Sequence, residues 1–171
     1  MFTPEDREQL RAALLEEAAK DARITGAAIT GSAAQNCEDR WSDIDLAFGL
    51  AEGVPVSEAV AAWSARMYAE HGAVHHLDVP HGPWLYRVFL LESTLQVDLA
   101  FVPETDFRAL APSFQLVSGT AQDPAPVDTP AVEGLIAFGW LYALHARSCI
   151  ARGKRWQAEY MISAVRDTAM A

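Results

Sequence analysis

The sequence predicts an α+β fold: a mixed or antiparallel sheet flanked by helices, followed by a separate helical segment. Three observations carry this. Residues 42–50 and 95–101 alternate apolar side chains with small or acidic ones, which is the period of a half-buried strand. Residues 5–20 and 57–71 instead carry apolar side chains at helical spacing. Between Gly119 and Thr129, the run Asp123-Pro124-Ala125-Pro126 can continue neither a helix nor the centre of a sheet, and a long apolar helical stretch follows it. We therefore expect a first domain over residues 1–122 and a C-terminal helical domain over residues 123–171.

Thr3-Pro4-Glu5-Asp6 has the composition of a helix start: a hydroxyl cap, proline in the first turn and acids near the positive end. Leu10, Leu14, Leu15 and Ala18 then share one face of a helix reaching residues 20–22. Ile24 to Thr30 is a short apolar strand ending at Gly31. Residues 33–41 fit one helical turn and a polar loop, in which Arg40 could approach a phosphate or simply stay solvated. The next strand runs from about Ser42 to Leu50. Ser57 to His71 is a helix whose stripe Val60, Trp63, Met67 and Tyr68 is expected in the core, with Gly72 ending it.

Val74–Val79 and Trp84–Leu91 read as strands separated by Pro80-His81-Gly82-Pro83. The short Glu92-Ser93 link should make the second of them a hairpin with the strand that carries Asp98. His75, His76, Asp78 and His81 are zinc-type ligands, but adjacent residues on a strand face opposite ways, so edge and loop roles are expected. Residues 104–110 are expected to form a short helix and Phe114–Val117 a further strand. Thr129-Pro130 should cap a helix reaching Arg152, apolar around most of its circumference, and a last helix should span residues 156–169.

The chemistry concentrates in Gly31-Ser32, nine residues of spacer, and then Ser42-Asp43-Ile44-Asp45-Leu46. Residues two apart on a strand share a face and lie about 6.6 Å apart. Asp43 and Asp45 therefore project together, while Ile44, Leu46 and Phe48 point into a core. Two carboxylates so placed can share Mg²⁺, which takes oxygen ligands together with substrate phosphates. Gly31 lets the backbone approach a ligand, and the amides after Ser32 would face phosphate oxygens. Leu95, Val97, Leu99 and Phe101 alternate inward, which puts Asp98 on the opposite face, and the neighbouring Ala47 and Ala100 leave room for a ligand. Turn and strand-end roles are the plain alternative for these aspartates, but like charges on one side of a half-buried sheet have little structural use. Ser42 is either a turn residue or a nucleotide contact. No lysine phosphate loop is present, which excludes ATPases and kinases of the Walker type.

The Gly-Ser pair followed by Asp-Ile-Asp-Leu closely resembles the signature of the nucleotidyltransferase superfamily, whose palm-like fold is shared with DNA polymerase β. The resemblance implies a third carboxylate on a neighbouring strand, for which Asp98 is the match, and metal ligation by Asp43, Asp45 and Asp98. It implies Mg²⁺ as cofactor, Gly31 and Ser32 on the phosphates of ATP or another NTP, and transfer of AMP or NMP to a small hydroxylated acceptor, for which an aminoglycoside-like antibiotic is one candidate, with loss of pyrophosphate. Asp98 would be either a metal ligand facing the attacking oxygen or a base for the acceptor.

Gly139-Trp140-Leu141-Tyr142 and Ala151-Arg152-Gly153-Lys154-Arg155-Trp156 resemble the helical domain of aminoglycoside-type adenylyltransferases. Some of those enzymes take their base from the helical domain, and Glu133 is the nearest candidate here, against a simple first-turn role. Their bundle is usually larger, so the helical segment is minimal, shortened or completed by a partner chain. The alternative function is a minimal nucleotidyltransferase antitoxin that binds or nucleotidylates a partner protein.

A hydrophobic content of 51% with 21% charged residues describes a globular chain, and 171 residues suffice for one good core plus an appendage. The net charge of −10 disfavours a nucleic-acid polymer as partner and suits a neutral or cationic small molecule. Cys37 and Cys149 have neither metal-ligand nor redox spacing, which fits free thiols in the cytoplasm. No basic-then-apolar signal segment opens the chain, and residues 134–144, its most apolar run, are too short to span a membrane. Only one further helix follows the apolar helix after residue 130, so a homodimer through the C-terminal helices is expected.

Overall fold

The computed structural model describes residues 1–125 and 131–171. Its strands are β1 (Ile24–Thr30), β2 (Ile44–Leu50), β3 (Ala73–His81), β4 (Trp84–Leu91), β5 (Gln96–Pro103) and β6 (Phe114–Gly119). They form one mixed sheet in the order β3-β4-β5-β2-β1-β6. The two central strands, β2 and β5, run parallel, and every other neighbouring pair is antiparallel. The helices are α1 (Pro4–Lys20), α2 (Gly31–Ala34), α3 (Val56–Glu70), α4 (Val132–Ala151) and α5 (Arg155–Met170). The fold class is thus the expected α+β arrangement.

Alternation decides which face of the sheet is covered. Ile44, Leu46, Phe48 and Leu50 of β2 and Val97, Leu99 and Phe101 of β5 are fully buried, together with Leu14 of α1 and Trp63 and Met67 of α3. Phe48 meets the Trp63 ring at 4.8 Å and the Phe101 ring at 5.5 Å. Burying one such side chain is worth about 1.5–3 kcal/mol, so this side alone holds α1 and α3 against the sheet. The helix starts as expected: Thr3 and Asp6 form a reciprocal capping box. The opposite face of β2 and β5 carries Asp45, Ala47, Asp98 and Ala100.

Several boundaries differ from the expectation. β2 begins at Ile44, which leaves Asp43 in the loop just before it. β3 continues through Pro80 to His81, pairing with Trp84 across a two-residue turn. Tyr68 is more exposed than a core stripe residue, at 42%. Residues 104–110 form turns and no helix. The reason is Phe107, which is fully buried on the open face of the sheet. It fills the space left by Gly26 and Gly49, where a Cβ would lie 2.6 and 2.8 Å from its ring. A helix could not lay that ring on the sheet from so short a connection.

The chain divides into two compact units, Met1–Ala125 and Pro126–Ala171. Thr129 and Pro130, read above as a helix cap, lie outside the described residues. In the second unit α4 and α5 pack on one another through small residues, with Ala146 and Ala158 the buried ones. Gly153, at φ +68°, turns the chain between them. Large apolar side chains remain exposed on this unit, among them Ile136, Phe138, Trp140 and Trp156, the last at 86%. No helix among the described residues is long and apolar enough to cross a membrane.

Candidate active site

Asp45 and Asp98 are direct partners across the parallel β2–β5 pair, so both side chains leave the same face of the sheet. Asp43 stands one residue before β2, close enough for its charge to act on the Asp45 carboxyl. Its Oδ2 also accepts from Gln96 Nε2 at 3.0 Å, and Gln96 stands two residues before Asp98 on β5. Asp98 Oδ1 is buried and has no hydrogen-bond partner. Among the described residues, no Lys, Arg or His is paired with any of the three aspartates.

The electrostatic consequence is direct. Burial raises the Asp45 carboxyl to about 7, helped by the charges of Asp43 and Asp98. Burial, then the Asp43 charge, raises Asp98 to about 6. Tyr86 on β4 is raised as well, by burial and by Asp98. Two carboxyls whose ionisation is disfavoured, Asp98 with an orphaned buried oxygen, thus stand beside the Asp43 charge. Carboxylate oxygens are the type of ligand that Mg²⁺ takes.

The three carboxylates are not packed tightly enough for every ligand atom to lie within 4.8 Å of the others. Among the described residues the one group that meets this distance is Glu17, Glu70 and His71, on α1 and at the end of α3. That group is already matched: Glu17 accepts from His71 Nε2 at 3.0 Å and from Arg66 at 3.4 Å. It reads as a surface ion network linking α1 and α3.

Gly31 opens α2 with φ +66°, a conformation that side chains rarely adopt, and a Cβ there would strike Asp45 Oδ2. Ser32 follows in α2, and its carbonyl accepts from Gln35 and Cys37. Ser42 is held in the loop: its hydroxyl accepts from the Asp39 amide at 2.9 Å, and its carbonyl accepts from Arg7. The Arg40 guanidinium stacks over Trp41, 4.2 Å from the ring centroid. His76 pairs with the Tyr68 hydroxyl at 2.8 Å, and Asp78 takes a forked contact from Arg87, so these former zinc-type candidates have other partners. Glu133 is exposed in the first turn of α4, in the second unit.

Arg7 was not singled out by its pattern, although an arginine at helical spacing with Leu14 and Ala18 on a covered face is the signal for it. It is only 3% exposed. Its Nη1 donates to the carbonyls of Asp39 at 2.6 Å and Ser42 at 3.1 Å, and its Nε lies 3.0 Å from Glu38. These contacts clamp the loop that delivers Asp43. Arg7→Ala should lower stability by about 2 kcal/mol, because it leaves the Ser42 carbonyl without its donor and removes the guanidinium's buried contacts to Asp39 and Glu38, the latter keeping Arg11. Chemical denaturation checks this, and a loss under 0.5 kcal/mol would mean the clamp is slack.

No protein-family model matches the sequence, and no curated protein matches it. Among solved structures the chain is similar to an aminoglycoside 6-adenyltransferase from Bacillus subtilis, with 14% identity and a TM-score of 0.45. The match covers 98% of this chain and 65% of that one, so the chain spans just under two thirds of that protein's length.

Proposed function

We propose that this chain is a nucleotidyltransferase that moves AMP from ATP, or NMP from another NTP, to a hydroxyl of a small acceptor. The observation that supports it is the meeting of Asp45 and Asp98 on one sheet face with Asp43 in the adjoining loop, Asp98 Oδ1 buried and unpartnered and, among the described residues, no basic side chain paired with any of the three. Asp43, Asp45 and Asp98 would hold Mg²⁺, which would supply charge neutralisation for the triphosphate and for the oxyanion forming at the α-phosphate.

The chain's own residues do the rest. Gly31 brings backbone rather than a side chain beside Asp45, leaving space for phosphate oxygens, with the Ser32 amide next to it. Gln96 fixes the Asp43 carboxyl by its amide, an orientation that does not depend on pH. Asp98 stands level with Asp45 on the same sheet face, so one of its oxygens can take a proton beside the bound metal. The acceptor hydroxyl would give its proton to Asp98 as its oxygen bonds to the α-phosphorus. The bond from phosphorus to the bridging oxygen breaks, and pyrophosphate leaves. We assign the base to Asp98 rather than Glu133, which stands exposed in α4.

The test is pyrophosphate release from each NTP in the presence of Mg²⁺ across a panel of hydroxylated acceptors, amino sugars included. Release that depends on an acceptor supports the reading. No nucleotide binding and no release with any NTP would end it.

The same reading includes pairing of two copies through α4 and α5. Ile136, Trp140 and Leu144 are 65%, 57% and 43% exposed at four-residue spacing along one face of α4, and apolar patches of a few hundred Å² usually mark an interaction surface. A partner protein, as in the antitoxin reading, is what the same surface would serve if the isolated chain stays single. Light scattering at micromolar concentration should give twice the chain mass; a monomer would refute self-pairing.

A further inference from the structure

Beside the aspartates lies a cavity of about 210 Å³ whose chemistry differs from theirs. Its floor is Ala47 and Ala100, each two residues along its strand from Asp45 or Asp98 and on the same face. Two strand steps span about 6.6 Å, so the floor begins one ring's width from the carboxylates. Its walls are Trp84, Tyr86 and Phe114. The Trp84 and Tyr86 rings stack at 5.9 Å with 24° between their planes. Phe107, locked over Gly26 and Gly49, backs both sides: its ring lies 6.3 Å from Trp84 and 5.6 Å from Phe114. The aromatic walls are therefore fixed before any ligand arrives.

Charge narrows the occupant. Among the described residues no carboxylate lines the cavity, and Arg108 carries the one formal charge on its wall. Arg108 donates to the Thr105 carbonyl at 2.9 Å and lies 3.9 Å from Asp106, which leaves guanidinium donors free for a neutral acceptor atom. A cationic amine pushed into this space would lose water and meet the Arg108 charge with no carboxylate on the cavity wall to pair with, which selects against it. The volume lies below the range of about 300–1,000 Å³ typical of whole small-molecule sites, so it suits one ring system.

We infer that the Trp84–Tyr86–Phe114 cavity is a subsite for a flat, uncharged heteroaromatic ring carried by a substrate of the Asp45–Asp98 site, and that it rejects polycationic amino sugars. This rests on the nucleotidyl-transfer reading for the reactive end of that substrate. The ring can come from two sources with the same chemistry: the base of the donor nucleotide or an aromatic part of the acceptor.

The experiment measures binding to the wild type, Phe114→Ala, Tyr86→Ala and Tyr86→Phe, each first shown to melt cooperatively. The probes are MgATP, magnesium tripolyphosphate, which has no ring, adenosine, a naphthyl alcohol and a tricationic amino sugar. If the ring is the donor's base, both alanine variants weaken MgATP and adenosine at least about tenfold, spare tripolyphosphate, and Tyr86→Phe restores binding. If it belongs to the acceptor, the naphthyl alcohol shows that loss and MgATP does not. Either pattern supports the subsite.

Equal losses for tripolyphosphate and MgATP, no loss for any ring probe, or a polycation whose binding depends on the same rings would overturn it. The ring-only probes keep this separate from the catalytic reading. A wild type that ignores MgATP and tripolyphosphate but binds adenosine or the naphthyl alcohol in a Tyr86-dependent way would sink the nucleotidyl-transfer reading and leave the cavity assigned. Alanine variants that fail to melt cooperatively leave the decision to wild type and Tyr86→Phe. Matching adenosine or naphthyl-alcohol affinity in both, with the amino sugar not bound, is then the supporting result, and no ring binding the opposing one.

Discussion

Asp45→Asn should lower the proposed nucleotidyl transfer by about three orders of magnitude and, with divalent cations removed, should raise the stability of the folded chain. Both effects come from one property. Asp45 sits between Asp43 and Asp98, and burial and those two charges lift it to about 7. Removing its charge would take away a proposed ligand for the cation that would balance the triphosphate, and about 4 kcal/mol of transition-state stabilisation corresponds to that rate. Without a cation, the same charge only repels its neighbours. The sign with pH follows from proton binding. The folded state keeps a proton on Asp45 that the unfolded chain releases near its ordinary value of 3.8.

Wild-type stability should therefore fall relative to Asp45→Asn as pH rises from about 4 to about 7. The variant-minus-wild-type difference is the quantity to measure, because Asp21 and Asp78, held low by Arg23 and Arg87, act in the opposite direction in both proteins. Melting temperatures in chelator at pH 5 and 7.5 check it, the gap widening by several degrees at the higher pH. Added Mg²⁺ should then stabilise wild type and leave the variant unmoved. A gap that stays constant with pH, or full turnover by the variant, would remove Asp45 from the metal-ligand role.

Strands β2 and β5 are legible in the sequence because each has one face that must be apolar, and Ile44-Leu46-Phe48 and Val97-Leu99-Phe101 leave no other register. Their common face, and so the meeting of Asp45 with Asp98, depends on a parallel pairing between residues 53 apart that no local pattern states. The walls of the neighbouring cavity are less legible still. Trp84 and Tyr86 look like ordinary β-strand aromatics, and Arg108 and Phe114 lie in or beside a segment that helical spacing misassigns. What bends residues 104–110 into turns is the Phe107 ring, and the clue to its seat is two glycines, Gly26 and Gly49, inside strands that otherwise favour side chains. Arg7 is hidden for a different reason: its partners are backbone carbonyls of residues 39 and 42, and carbonyls leave no mark in a sequence.

Gly31→Ala should reduce turnover at least about a hundredfold while costing only a modest amount of stability, and Gly53→Ala separates the two causes. Both glycines have positive φ, +66° and +79°, so alanine at either meets left-handed strain of about 1–2 kcal/mol. At Gly53 nothing lies within 4 Å of the added Cβ, and strain is the whole effect. At Gly31 the Cβ would run into Asp45 Oδ2 and sit 2.9 Å from its Cγ. A carboxylate on a short side chain can rotate away, so the fold survives, but displacing a reacting group by about 1 Å can cost a hundredfold in rate. The two variants should melt within a few degrees of each other, and only one should lose activity. Combining Gly31→Ala with Asp45→Ala completes a double-mutant cycle: with the carboxylate gone, the added methyl should cost stability no more than it does at Gly53. Wild-type turnover in Gly31→Ala would mean that Asp45 tolerates being moved, and the close approach of backbone to carboxylate would have no part in the chemistry.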